Sequence, residues 1–370
     1  MADFLISDND VQAAVDRAFQ AGGGRVVVDG RVKARGMIEL RSNVELYLAP
    51  GGVLEAPSDP ACYPEYEPAD AAAEDGFAPE KGRKCFIGAA RAENIAITGP
   101  GTIEMNGAAF YDTKKLGYRN YFYEKPAEPR PRMLELVHCR GVRLEGTHFH
   151  NAPSWSFWLV ECSEMVIHGI RLTGDTRVPN QDGIHMDSCQ KVMISDCFVK
   201  TGDDAVVVRA IRKTSDREFR SSEITITNCV LDSLCHGIRV GCPSDGIIRN
   251  VTVSNCVITG HLGIGFGNPE MYLHKVKGRL FTERIRFRNV IVDVEGTPLS
   301  MYVDDGLELE RFGDIAFRDC DLRGGVPCKV FGWKGFRIGP LAFDGVRFSH
   351  MPEFTMCCGL TLDRVTVAGE

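Results

Sequence analysis

The sequence predicts an all-β fold, a single-domain right-handed parallel β-helix, and three observations carry that prediction. The segments "VRLEGTHFHN", "MVIHGIRLTG", "VMISDCFVKT", "ITITNCVLDS", "VTVSNCVITG" and "IRFRNVIVDV" repeat one pattern of alternating apolar residues around a small or polar turn residue. Alternation of period two marks strands, and Gly, Asn and Asp mark turns. The segments start roughly 22 to 32 residues apart with no helical pattern between them, which suits coils that hydrogen-bond to the next at about 4.8 Å. Cysteines, finally, recur at equivalent places: Cys139, Cys162 and Cys189 just before a strand, and Cys197, Cys229, Cys256 and Cys320 inside one. A sandwich would need Asn-Gly-type hairpin turns, which are scarce here.

The elements follow in order. Residues 1–24 read as a helical cap, with Asp8 or Asn9 as N-cap, an apolar stripe of Val11, Ala14, Val15 and Phe19, and a glycine run as the stop. Such a helix closes the end of a solenoid, which otherwise exposes an edge. Residues 56–84 and 105–132 interrupt the repeat with Pro, Ala and charge, and read as long loops where binding residues commonly sit. The repeat resumes through "DIAFRDCDLRGG" and "GPLAFDGVRFSH" to "LTLDRVTVAGE", so residues 1–370 read as one domain.

Composition excludes several functions. The chain has 370 residues, 44% hydrophobic and 25% charged, with a net charge of −7, so no basic field attracts nucleic acid or acidic membranes. No apolar run of membrane-spanning length is present. "MADFLISDND" lacks the basic and apolar regions of a secretory signal, which predicts a cytoplasmic protein, or a secreted one if a signal has been removed. The fourteen cysteines show no zinc-type CxxC spacing. They fit a ladder of reduced thiols packed like small hydrophobes, with disulfides or metal as the alternative. No cofactor or metal is expected, and the oligomeric state is left undecided.

Residues 178–210 pose the chemical question, because they place Asp182, Asp187, Asp196, Asp203 and Asp204 in an apolar background. Aligning Ile184 with Val206, Ile238 and Ile264 as inward residues puts Asp182, Asp204 and His236 in one column, with Asp203 beside Asp204. A second outward column carries Asp187 and Arg209 as an ion pair. Gathered carboxylates repel, which raises the pKa of one and leaves another ionised. Glycoside hydrolysis needs that split, one acid on the leaving oxygen and one carboxylate on water. Asp-Gly and Gly-Asp-Asp also suit plain Asx turns, but turn chemistry calls for no histidine. Calcium ligation of the EF-hand type lacks its spacing.

At these residues the chain resembles the polygalacturonase family of glycoside hydrolases, family 28. The blocks that carry the likeness are Asn180-Gln181-Asp182-Gly183, Gly202-Asp203-Asp204 and Cys235-His236-Gly237, where cysteine replaces a leading glycine. "NAPSWSFWLVEC" and the opening "VQAAVDRAFQAGGG" are similar too, and the likeness runs over roughly residues 9 to 300. The resemblance implies a right-handed β-helix that hydrolyses pectic saccharides with inversion. It implies Asp203 as general acid, Asp182 and Asp204 as the groups that activate water, and His236 as support for the site or substrate. Inversion implies acid and base carboxyls about 6.5–9.5 Å apart. The family's fourth block, with the Arg and Lys implied in holding the substrate carboxylate, is replaced by Gly263-Ile264-Gly265-Phe266-Gly267. Arg239, one coil away, is the expected replacement, with Gly265 and Gly267 leaving it space.

Asn180, Asp187, Arg209, Arg239 and Trp158 are the remaining expected substrate contacts, Trp158 as an outward stacking platform and Trp155 in the core. Tyr302, Asp304 and Asp305 are further candidates. The substrate expected is a galacturonate- or rhamnogalacturonan-containing oligosaccharide, and the long loops predict exo action. The rival reading is a non-catalytic β-helix that binds carbohydrate or serves a structural role. A pectate lyase would call for calcium carboxylates and an arginine base instead.

Overall fold

The computed structural model describes residues 2–66, 84–213, 216–241, 244–268, 280–304 and 309–368. Parallel strands dominate, with one α-helix among the described residues, and the fold is a right-handed parallel β-helix. The hand follows from strand twist, which lets a crossover pack back onto a parallel sheet in one sense. No helix among the described residues is long and apolar enough to cross a membrane.

The described residues divide into two compact units, one running to His185 together with Asp196–Asp203, the other comprising Met186–Ser195 and the chain from Asp204 onward. In the first unit each coil contributes up to three strands. Gly24–Val28 pairs with Val44–Leu48, and Arg140–Glu145 with Ser163–His168. Arg31–Lys33 pairs with Val53–Glu55, and His148–His150 with Arg171–Thr173. Cys85–Ala90 pairs with Arg132–Val137, which pairs with Phe157–Val160. In the second unit Val206–Arg209 lies on Val230–Val240 and that strand on Val257–Asn268, with Val206, Ile238 and Ile264 in one column, the register the alternation predicts.

Identical residues stack because coils repeat in register. Phe287, Phe317 and Phe343 are cross-strand partners whose rings stack at 4.7 and 5.1 Å. Asn228, Asn255 and Asn289 all take left-handed φ at the turn and pass side-chain hydrogen bonds along the column at 3.3 and 2.9 Å. Asparagine tolerates that backbone and satisfies its neighbour's amide, which explains its place in the repeat. Buried thiols of Cys139, Cys162 and Cys256 approach backbone carbonyls, and the ladder's cysteines are thiols rather than disulfides.

The N-terminus differs from the sequence expectation in detail. A short strand, Asp3–Leu5, precedes the helix Val11–Gln20, and the N-cap is Asp10, whose carboxylate accepts from Ala13 N at 3.0 Å. Asp8 and Asn9 instead take positive φ and make the turn before it. Ala18 rather than Phe19 completes the buried stripe, and Phe19 is 47% exposed. The 56–84 stretch is described over 56–66, where Asp59 caps the turn Pro60–Cys62 and Tyr63 is buried; 67–83 lie outside the described residues. The 105–132 insertion is packed rather than simply projecting. Tyr111 donates to Pro153 O at 2.5 Å, Tyr123 to Asp175 at 2.7 Å, and Arg130 to Pro179 O at 2.7 Å.

Phe317→Ala removes the middle ring of the aromatic column and leaves a cavity its register-locked neighbours cannot close. The expected loss is about 3–5 kcal/mol in denaturant unfolding, with Phe317→Leu costing clearly less. Equal, small losses for both would show that the column is not a packing unit.

Candidate active site

In the first unit, a turn ahead of the strand Ile184–Asp187 carries Asn180, Gln181 and Asp182. Asn180 sits at φ +55° and its side-chain oxygen lies 3.4 Å from Arg130 Nη2. Gln181 is buried, donates to Ala152 O at 2.8 Å, and its carbonyl accepts from Asp203 N at 3.3 Å. That last bond draws Asp203 toward Asp182, and their nearest carboxylate oxygens come within 4.8 Å. Asp182 is nearly buried, whereas Asp203 is partly exposed. The separation is shorter than the about 6.5–9.5 Å that inversion implied, because one backbone hydrogen bond ties the two turns together.

His185 was missed by the sequence reading. Its Nδ1 lies 3.3 Å from Asp182 Oδ2, and its ring stacks on Trp155 at 4.3 Å with a 12° tilt. Its signal was present in "DGIH": alternation turns residue 185 away from inward Ile184. The Trp158 expectation fails on exposure. Trp158 alternates with buried Phe157 and Leu159, but it is 4% exposed, in a buried cluster with Val137, Trp155 and Val160 and beside His185 and the Arg132 guanidinium. Arg132 in turn pairs with fully buried Glu135 at 2.6 Å. Beside Asn180 lies a pocket of about 220 Å³ lined by Lys125, Glu128, Arg130, Ser154, Trp155 and Asn180.

In the second unit, Asp204 precedes the strand Val206–Arg209 and accepts from the backbone N and ring Nδ1 of His236 at 2.9 and 3.0 Å. Burial opposes its charge, but these hydrogen bonds and the Arg239 guanidinium outweigh that and hold the carboxyl well below the usual range. Burial and Arg239 also push the His236 imidazole below its ordinary value, against the pull of Asp204. Neutral His236 thus donates from Nδ1 to ionised Asp204 and accepts from Arg239 Nη1 at Nε2, 3.2 Å away. Arg239 Nη2 donates to Tyr302 at 3.2 Å.

Arg239 pairs with Gly265 across the strands, as the register predicted. The space at Gly265 serves another purpose, however, since a Cβ there would strike the His236 ring. Gly267 sits at φ +110°, where a Cβ would collide with Tyr302 O, so its role is backbone.

The chain matches glycosyl hydrolases family 28 over residues 70–263. It belongs to that family. The sequence is 27% identical over 202 residues to a probable polygalacturonase of Vitis vinifera, a match covering 54% of this chain and 40% of that protein. Against an endo-polygalacturonase of Pectobacterium carotovorum subsp. carotovorum it is 23% identical over 86% of this chain and 78% of the other. The structure resembles an exopolygalacturonase from Thermotoga maritima with TM-score 0.74 at 19% identity, over 97% and 87% of the two chains, a likeness of fold.

Two expected substrate contacts of this family 28 chain are corrected. Asp187 and Arg209 do approach as predicted, at 3.6 Å, but each is 1% exposed and Lys213 joins them at 3.2 Å from Asp187. Asp187 also accepts from Ile211 N and Ser188 Oγ. This buried cluster fixes the end of the strand rather than meeting a ligand. Of the weaker candidates, Tyr302 is placed at the site through Arg239, Asp304 follows the strand Leu299–Val303, and Asp305 lies outside the described residues.

The lowered Asp204 and His236 groups set a pH dependence. A depressed carboxyl gives stability above its unfolded value near 3.9 and loses it as pH falls. A depressed histidine means the unfolded chain binds more protons below about 6.5, so stability falls there too. Both signs agree: acid destabilises. The midpoint of thermal unfolding should drop below pH 6.5, and His236→Asn should flatten that slope by up to about 1.4 kcal/mol per pH unit. An unchanged slope would show that His236 is not neutral in the fold.

Proposed function

We propose that this protein hydrolyses glycosidic bonds in pectin-derived oligosaccharides containing galacturonate or rhamnogalacturonan units, with inversion and from chain ends. The observation that carries the reading is the close carboxylate pair Asp182–Asp203, peptide-bonded onward to Asp204, which its own partners keep ionised. Inverting hydrolysis needs one carboxyl as acid and another as base, and a pair this close offers both. Asp203, the more exposed member, protonates the leaving oxygen. By the family resemblance, Asp182 and Asp204 are the carboxylates that activate water. A gap of no more than 4.8 Å lies within the reach of a bridging water, since two hydrogen bonds of about 2.7 Å span up to about 5.4 Å.

End-directed action rests on the packed 105–132 insertion and the pocket it walls. At about 220 Å³ the pocket lies below the roughly 300–1,000 Å³ of sites that bury a drug-sized ligand, which suits a short end of a saccharide rather than a long chain. Incubation with pectic oligosaccharides should release small products from one end, with the inverted anomer first by proton NMR and slow loss of viscosity on polymer. Asp203→Asn should lower kcat by orders of magnitude with the fold intact. A retained anomer, rapid viscosity loss, or near-normal turnover of the variant would each reject its part of the reading.

Arg239 takes the place of the missing arginine and lysine in this reading. Its guanidinium is held between His236 and Tyr302 and the residue is 5% exposed, so a uronate carboxylate would meet only the edge these partners leave open. Arg239→Ala should raise KM for acidic oligosaccharides much more than for methyl-esterified or neutral ones. Equal losses would mean the pocket does not read charge there.

A further inference from the structure

We propose that Cys235, His236 and Asp204 form a binding site for a thiophilic divalent cation of the zinc type, and that its occupation switches hydrolysis off. The second half of this statement rests on the hydrolytic reading above; the first half does not.

Neighbours along a strand normally face opposite sides. Here the pairing of Val230–Val240 with Val257–Asn268 slips: Ser233 lies opposite Gly260 but His236 opposite Leu262, three residues of advance against two. Ser233 Oγ accepts from Cys235 N at 2.9 Å and holds the bulge. The bulge brings Cys235 Sγ to 3.4 Å from His236 Nδ1, which is itself 3.0 Å from Asp204 Oδ1. All three donor atoms lie within 4.8 Å of one another.

Tetrahedral zinc, with Zn–S near 2.3 Å, Zn–N near 2.0–2.1 Å and Zn–O near 2.0–2.2 Å, places its ligand atoms roughly 3.3–3.6 Å apart. The three donors therefore need little movement. Thiolate, imidazole and carboxylate form the mixed set zinc favours, three protein ligands leave a fourth position for water, and two negative charges balance the dication. Asp204 and His236 are buried, and partly exposed Cys235 gives the way in.

Protons balance simply. The Cys235 thiol releases its proton to solvent, while His236 exchanges its Nδ1 proton for one on Nε2 without net change. The Arg239 guanidinium opposes a second cation and turns onto Tyr302, to which it already donates. Asp204, once a metal ligand, no longer offers that oxygen to water.

The test titrates Co²⁺ into the purified full chain under a non-chelating reductant. A thiolate-to-cobalt charge-transfer band and tetrahedral d–d bands should saturate at one equivalent, with one proton released. Cys235→Gly and Cys235→Ala should weaken binding roughly tenfold or more, since losing even an outer partner of a metal ligand costs 10–100-fold. Zn²⁺ should inhibit hydrolysis by the unmodified protein, reversibly with chelator, while Cys235→Gly keeps its metal-free rate and loses the inhibition by a similar factor. The alanine variant decides if the glycine variant does not fold. Absence of a Cys235-dependent band, or equal inhibition of Cys235→Gly, overturns the proposal. If no oligosaccharide is cleaved, the hydrolytic reading fails, and the cobalt titration still decides the metal site.

Discussion

Backbone hydrogen bonding between successive coils is the constraint on which the rest of this structure depends. A parallel ladder fixes the register of each coil on the one below, and a slip of one residue would turn every side chain to the opposite face. Because register is fixed, residues about one coil apart in sequence become neighbours in space. The columns of Phe287, Phe317 and Phe343 and of Asn228, Asn255 and Asn289 are consequences of that rule. So is the meeting of Arg239 with Gly265. Where the ladder slips, between Ser233 and His236, the side chains it presents change at once, and Cys235 comes to lie beside His236.

Charge placement follows from the same rigidity. A buried charge is tolerated when partners with good geometry surround it, and coil register supplies that placement. Three arrangements show it. Arg132 and Glu135 pair beneath the two tryptophans; Asp187 gathers Arg209 and Lys213; Asp204 takes two hydrogen bonds from one residue, His236. The first two serve the scaffold, since they are sealed from solvent. The third differs because its neighbour Asp203 remains partly exposed and its partner His236 is itself held by Arg239. The same type of interaction thus gives structure in two places and a poised group in the third.

Much of this was legible beforehand. Alternation, turn residues and recurring cysteines gave the β-helix, the inward columns and the column of Asp182, Asp204 and His236 with Asp203 beside it, because each is a consequence of period and spacing; the close approach of Asp203 to Asp182 came from a backbone hydrogen bond between turns. Exposure was not legible. Trp158, Asp187 and Arg209 were assumed to meet solvent, whereas neighbouring segments cover them. Asp8 and Asn9 had the composition of an N-cap, but Asp10 alone combined the right position with the right backbone.

The sequence by itself determined the coil, its register and the residue types along each column, because hydrogen-bonded strands of period two leave few alternatives. Tertiary structure decided which outward residues stay accessible, since that depends on where insertions such as 105–132 fold back, and their irregular backbone carries no period to read. It also decided the finer geometry: His185 against Asp182, the His236 ring over Gly265, and Cys235 beside His236. Each arises from a side-chain rotation or a one-residue bulge, and such displacements of a few ångströms follow from packing by residues distant in the chain.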